Sequence, residues 1–236
     1  MYLFCILCSL IWPSGNIGQV RQLSADQIIT KCLAAYDSAK TYQATVSMHI
    51  NYPTQKVTMK IKMRSVSDGA GKIRQSAGSS STRIVRKGMP QNEDRVLVDD
   101  GTIVYSIDPS TKSYTSMPHA PDSVSGIFRN TFERMTKSCS KFSVSIINDK
   151  GKEKYKILGF AKDGITTVLI SKDNFQLYSL HTVRDSGPNK GTADLVVSDQ
   201  VFNQAIDQKA FRWSPPPGYI KSESEKPLIG NARQKP

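Results

Sequence analysis

Two consecutive stretches of this chain alternate between apolar and polar residues without a break, and nothing else in the sequence restricts the fold as much. Tyr42, Ala44, Val46, Met48, Ile50 and Tyr52 fall on one side of a period of two, with Gln43, Thr45, Ser47, His49 and Asn51 on the other. After a predicted turn at Tyr52-Pro53-Thr54-Gln55 the pattern resumes, with Val57, Met59, Ile61 and Met63 against Lys56, Thr58, Lys60, Lys62 and Arg64. Side chains along a strand point to opposite faces in turn, so this patterning specifies a half-buried antiparallel sheet.

A helix precedes the strands. Ser24 and Gln27 have the spacing of a capping box, and Ile28, Ile29, Cys32, Leu33 and Tyr36 recur at helical spacing, ending near Lys40. Residues 65–82 are rich in Ser and Gly and read as a loop or an irregular strand pair. Short strands are predicted at Arg83–Lys87, Arg95–Asp99, Thr102–Ile107 and Lys112–Thr115, with Asp99-Asp100-Gly101 as a hairpin turn. A second helix over Asp122–Lys137, with Asp122 as its N-cap, carries Val124, Ile127, Phe128, Phe132 and Met135 on one face. Strands at Lys154–Phe160, Ile165–Ser171, Phe175–Arg184 and Thr192–Asn203 follow, with turns at Asp173-Asn174 and Ser186-Gly187-Pro188-Asn189. The fold class is therefore α+β with one long antiparallel sheet. No shift in composition divides the chain, so residues 19–220 read as one domain and 221–236 as a flexible polar tail.

The first 18 residues read as a signal peptide. Tyr2 to Trp12 is apolar and is followed by Pro13, Ser14, Gly15 and Gly18, a run too short to span a bilayer. Phe4 and Leu7 stand before Cys5 and Cys8, where a lipoprotein signal needs a small residue, so cleavage near Gly18 is expected rather than lipid attachment. The exported chain keeps Cys32 and Cys139, which either pair in an oxidising compartment or act as small buried hydrophobes.

With 32 Lys and Arg against 20 Asp and Glu, the formal charge of +12 favours an anionic partner. The excess is concentrated between 51 and 90, a segment with nine basic residues and a single acid, Asp68. This segment is either a solvated lysine-rich sheet face that discourages edge pairing or a rim for lipid phosphates or an acidic partner. No nucleic-acid-binding pattern accompanies it. His49, His119 and His181 lack metal-ligand spacing, and no Gly-x-Ser-x-Gly elbow is present. Asp68-Gly69-Ala70-Gly71-Lys72 lacks the first glycine of a phosphate loop and has Ile73 where Ser or Thr is needed, so it reads as a turn. The chain is thus expected to be no enzyme, with no metal and no cofactor. Met48, Met59 and Met63 are flexible, polarizable side chains that serve either ordinary core packing or the sheltering of a hydrocarbon chain.

The run Val98-Asp99-Asp100-Gly101-Thr102-Ile103-Val104-Tyr105-Ser106-Ile107-Asp108-Pro109 resembles the hairpin of the LolA-like periplasmic outer-membrane lipoprotein carriers. Asp207 followed by Phe211-Arg212-Trp213-Ser214-Pro215-Pro216-Pro217-Gly218-Tyr219 is similar to the close of that family's domain. The order of elements agrees from about Leu23 to Ile220. The resemblance implies an unclosed barrel of about eleven antiparallel strands with helices covering the open side. It implies a monomeric periplasmic protein that takes acyl chains of a lipoprotein from an inner-membrane exporter to an outer-membrane receptor. On this reading Val46, Met48, Ile50, Val57, Met59, Ile61, Met63, Ile127, Phe128 and Phe132 line the lipid site. The family's lid-latching arginine corresponds to Arg64 in Lys62-Met63-Arg64-Ser65, although here the family's proline is absent; Lys60 and Lys62 join Arg64 as contacts for an anionic partner. Divergent members of the superfamily are envelope-stress sensors that bind a regulatory protein, which is the alternative function.

Overall fold

The computed structural model describes residues 23–120, 122–187 and 190–222, so the expected signal peptide and nearly all of the expected tail lie outside the described residues. Helix α1 (Ala25–Asp37) begins at the capping box. Ser24 Oγ accepts from Gln27 N at 3.2 Å and Gln27 Oε1 accepts from Ser24 N at 2.9 Å. Strands β1 (Thr41–Tyr52) and β2 (Gln55–Ser67) form the predicted hairpin in continuous register from Thr41 opposite Val66 to Tyr52 opposite Gln55. The chain continues through β3 (Ile73–Arg86), β4 (Met89–Asp99), β5 (Ile103–Asp108) and β6 (Ser113–Pro118). Helix α2 (Gly126–Ser138) then leads into β7 (Cys139–Asp149), β8 (Lys152–Ala161), β9 (Gly164–Ser171), β10 (Leu177–Arg184) and β11 (Gly191–Phe202). A short 3-10 turn at Gln208–Phe211 and the two-residue β12 (Ile220–Lys221) complete the described chain.

All twelve strands form one sheet in the order β12-β6-β5-β4-β3-β2-β1-β11-β10-β9-β8-β7, antiparallel except for the β12–β6 pair. Its two edges do not meet, so the sheet is an unclosed half-barrel of eleven long or medium strands and one brief one. Among the described residues no helix is long and apolar enough to cross a membrane.

Three expectations change. Strand β3 runs unbroken from Ile73 to Arg86, so the strand expected from Arg83 begins ten residues earlier, inside the segment expected to be a loop or irregular pair, and β4 starts at Met89 rather than Arg95. Strand β7 was not predicted at all. Helix α2 starts later than expected, and Asp122 does not cap it, because its Oδ1 accepts from Ser123 N instead. The N-cap residue is Ser125, whose side chain caps no backbone N-H; its own N-H donates to Asp37 Oδ1 of α1 at 3.2 Å, so the start of α2 is held from a distant part of the chain.

Both helices pack on one face of the sheet. Ile28, Ile29, Cys32 and Tyr36 from α1 and Phe128, Phe132 and Met135 from α2 join Tyr42, Ala44, Val46, Ile157, Val168, Ile170, Leu180, Leu195 and Val197 in a single core. Tyr36 lies at its centre, with ring centroids 5.3 Å from Tyr42, 4.8 Å from Phe128 and 5.5 Å from Phe202. The opposite, outer face carries a second small core. Phe211 and Trp213 of the C-terminal segment cover it near Ala77, Val98 and Ile107, and Trp213 lies 5.1 Å from both Tyr105 and Tyr114.

Cys32 and Cys139 are both free thiols buried in the main core, so of the two readings open to them they are small buried hydrophobes. Burial pushes the Cys32 thiol up from 9.0 to about 12. Only a thiolate attacks a disulfide reagent, so Cys32 should stay unmodified at pH 8 in the folded protein and react fully in denaturant. Peptide mapping after treatment with such a reagent reads this directly, and fast labelling of folded Cys32 would contradict the packing. The same shift sets a sign for stability. The unfolded thiol ionises near 9 while the folded one holds its proton to about 12, so this contribution is complete below pH 9 and is lost as pH rises from 9 to 12.

Candidate functional site

The family-like hairpin serves structure rather than chemistry. Asp100 Oδ1 accepts from Thr102 N and Ile103 N, both at 2.8 Å, and closes the β4–β5 turn. Asp108 Oδ1 accepts from Ser110 N at 2.9 Å and Thr111 N at 3.2 Å and closes the next one. Both are Asx turns, which hold the Asp100 and Asp108 carboxyls below the usual carboxylate range: backbone N-H groups lead for Asp100, the Ser110 hydroxyl for Asp108. Asp99 points away from Asp100 and binds His119 Nδ1 at 2.9 Å, tying the chain after β6 to the sheet. Asp207 likewise accepts from Lys209 N at 2.9 Å and starts the 3-10 turn that brings Phe211 onto the outer face.

Strand register sorts the lipid-site residues expected from sequence. Val46, Met48 and Ile50 of β1 pair with Ile61, Met59 and Val57 of β2, and Ala44 pairs with Met63, so all share the helix-bearing face. They differ in how much is left to a ligand. Val46, Phe128 and Phe132 are fully buried in the core, so the space beneath the helices is occupied there rather than open. Met48, Ile61 and Met63 are half-buried against that core. Ile50, Val57 and Met59 are half-buried beyond it, next to half-buried Ile84, which pairs with Val57. The Ile127 side chain lies outside the described residues.

Ile50, Val57, Met59 and Ile84 thus form an apolar strip where the sheet runs past the packed core. The face then turns polar on β3 and β4: Met59 pairs with Thr82 and Ile61 with Ser80, and these pair with Glu93 and Arg95. Arg95 reaches Asp108 at 3.3 Å, while its buried Nε has no hydrogen-bond partner. A cleft of about 360 Å³ opens on the same face between the start of α1 and the sheet edge, lined by Leu23, Ser24, Ala25, Asp26, Phe142 and Val144. Sequence reasoning missed it because β7 was not recognised, although Phe142, Val144 and Ile146 alternate with Lys141, Ser143 and Ser145.

Arg64, Lys60 and Lys62 lie elsewhere. They alternate with Met59, Ile61 and Met63, so they are exposed on the outer face, away from both helices. From that face Arg64 does not reach the helices it was expected to latch. The ion pair that joins them is Arg129 with Asp37, 3.0 Å apart, with Arg129 also donating to Ser125 Oγ at 2.9 Å. Among the described residues no group of three or more His, Cys, Asp or Glu is placed to hold a metal ion.

No family model matches the sequence, and no curated protein matches it. Solved structures of similar shape include an uncharacterized conserved protein from Thermus thermophilus, at 13% identity and a TM-score of 0.45 over 85% of this chain and 99% of that one. A LolA superfamily protein from Nitrosomonas europaea is 12% identical, with a TM-score of 0.30 over 81% of this chain and 99% of that one. MucB is 10% identical, with a TM-score of 0.42 over 80% of this chain and 62% of that one.

Proposed function

We propose that this chain is a carrier or binding protein that shelters acyl chains of lipids or lipoproteins on the helix-bearing face of its open sheet. The observation that supports this most is the strip of Ile50, Val57, Met59 and Ile84, which the fold leaves half-buried with no core packed against it. An apolar strip at the open end of an uncovered sheet gains by being covered, and a hydrocarbon chain covers it without polar groups to satisfy. The cleft beside α1, where Leu23, Phe142 and Val144 face the polar Ser24 and Asp26, lies on the same face. In keeping with the hairpin and closing motifs, we place the protein in the periplasm, exported by residues 1–18, acting as a monomer between a membrane exporter and a receptor in outer-membrane lipoprotein sorting.

Chain length gives the test. Full burial of a methylene is worth about 0.8 kcal/mol, so in an enclosed site affinity would rise about fourfold per methylene. A chain lying on an open strip has one side shielded, and the rise is about twofold. Titration with a fluorescent fatty acid, displaced by a series of unlabelled ones, should show saturable binding with the lower slope. Native mass spectrometry after mild purification should find retained lipid. A protein that is free of lipid and ignores every chain length would overturn the carrier reading.

A further inference from the structure

The outer face carries a second recess, across the sheet from the packed core, and it is built from parts far apart in sequence. Its floor is two cross-strand rows: Thr45–Lys62–Ser79–Val96 and Gln43–Arg64–Ala77–Val98. One wall is the irregularity in β11, where pairing jumps from Thr45 opposite Ser198 to Gln43 opposite Val201 and Asp199 takes a φ of 52°. The other wall is Ala210 of the 3-10 turn. Together they enclose about 390 Å³.

Three properties define what fits. The Lys62 and Arg64 side chains make no hydrogen bond or ion pair with any described residue. They stand two apart on one strand, on the same face, so both heads can converge on one bound group. Gln43, Thr45 and Ser79 add neutral hydrogen-bonding groups around them, while Val96, Ala77 and Val98 make the far end apolar. A carboxylate presents two oxygens in a plane. Donors arriving from an arginine fork, an ammonium and hydroxyls on neighbouring strands are better matched by a tetrahedral oxyanion. The volume is within the usual range for small-ligand pockets, large enough for a phosphate with a small organic substituent over half-buried Val96.

We propose that this outer-face recess binds a phosphoryl group carried on a small organic moiety, with Lys62 and Arg64 neutralising the phosphate and Thr45 and Ser79 orienting it. The chemistry is shared by a lipid headgroup and a free phosphoester. Asp199 at the rim is the one opposing charge among the lining residues and limits the affinity. The site goes beyond the acyl reading and does not rest on it, because it lies on the other side of the sheet.

The test is calorimetric titration of the full chain, at low salt, with glycerol 3-phosphate, inorganic phosphate and a glutamate-rich peptide, together with flotation on phosphatidylglycerol or phosphatidylcholine vesicles. Glycerol 3-phosphate should bind more tightly than inorganic phosphate. K62Q/R64Q should weaken it at least about tenfold, and raised salt should weaken it too. Asp199→Asn should tighten it about threefold by removing a nearby like charge, and asparagine suits the positive φ. Circular-dichroism melts of each variant check that the fold persists. Capture on phosphatidylglycerol but not phosphatidylcholine assigns the group to a lipid, whereas binding of the small phosphoester without vesicle capture assigns it to a soluble ligand. The proposal is overturned if K62Q/R64Q binds as the parent does, if the acidic peptide displaces the phosphoester more effectively than inorganic phosphate does, or if nothing binds up to about 10 mM.

Discussion

Tyr36→Phe should lower the melting temperature by roughly 5 °C, a large effect for the loss of one oxygen atom. The ring is fully buried, and its hydroxyl joins three parts of the fold. It donates to Gln200 Oε1 at 2.7 Å and accepts from Leu177 N at 3.1 Å, while Gln200 Nε2 donates to Leu177 O at 2.8 Å. The network thus connects α1 to the start of β10 and to the irregular end of β11. Phenylalanine keeps the ring contacts but leaves the Leu177 N-H without its partner and weakens the hold on Gln200. Each buried polar group left unpaired costs about 1–3 kcal/mol, and a domain of this size loses about 2–4 °C per kcal/mol. Adding Gln200→Leu should cost less than the sum of the two single changes, because both act on one network. A melt that moves by less than about 2 °C would show that the hydroxyl is not engaged as described.

The elements legible in the sequence were those whose reasons are local. The capping box at Ser24 and Gln27 fixed the start of α1, and strict alternation fixed β1 and β2. Strand β3 shows the opposite case. Its middle, Ala77-Gly78-Ser79-Ser80-Ser81-Thr82, has no apolar alternation, and it is extended because β2 and β4 hydrogen-bond it on both sides. Gly78 suits the place, since a Cβ there would sit 2.8 Å from the Lys62 carbonyl oxygen. The start of α2 was equally out of reach, because the carboxylate that meets its first turn belongs to Asp37, on another helix.

The candidate sites divide in the same way. Alternation correctly put the apolar residues of β1 and β2 on one face and Lys60, Lys62 and Arg64 on the other. It could not say that Val46, Phe128 and Phe132 would be covered by core packing while Val57 and Met59 would not, because that depends on where the helices end over the sheet. Nor could it bring Asp199 and Ala210 to either side of Lys62 and Arg64. Face is a property of the pattern, whereas a recess is a property of what packs nearby.

That distinction supplies the sharpest functional experiment, a pair of neighbouring residues that receive the same new charge. Met59→Asp puts a carboxylate in the middle of the apolar strip, opposite Met48 on one side and Thr82 on the other. Thr58→Asp puts it one residue away, exposed on the outer face. A carboxylate pressed against hydrocarbon loses its hydration, so Met59→Asp should weaken fatty-acid binding by about tenfold to a hundredfold, while Thr58→Asp leaves it unchanged. Because Met59 is half-buried and outside the packed core, its own cost to stability should be about 1 kcal/mol, as read by denaturant unfolding. Phe132→Ala, by contrast, removes a fully buried ring and should cost about 3–5 kcal/mol. Equal loss of binding in Met59→Asp and Thr58→Asp would mean that the charge acts at long range rather than by contact. Unchanged binding in both would move the acyl chain off this strip and leave the cleft lined by Leu23, Phe142 and Val144 as the place to look.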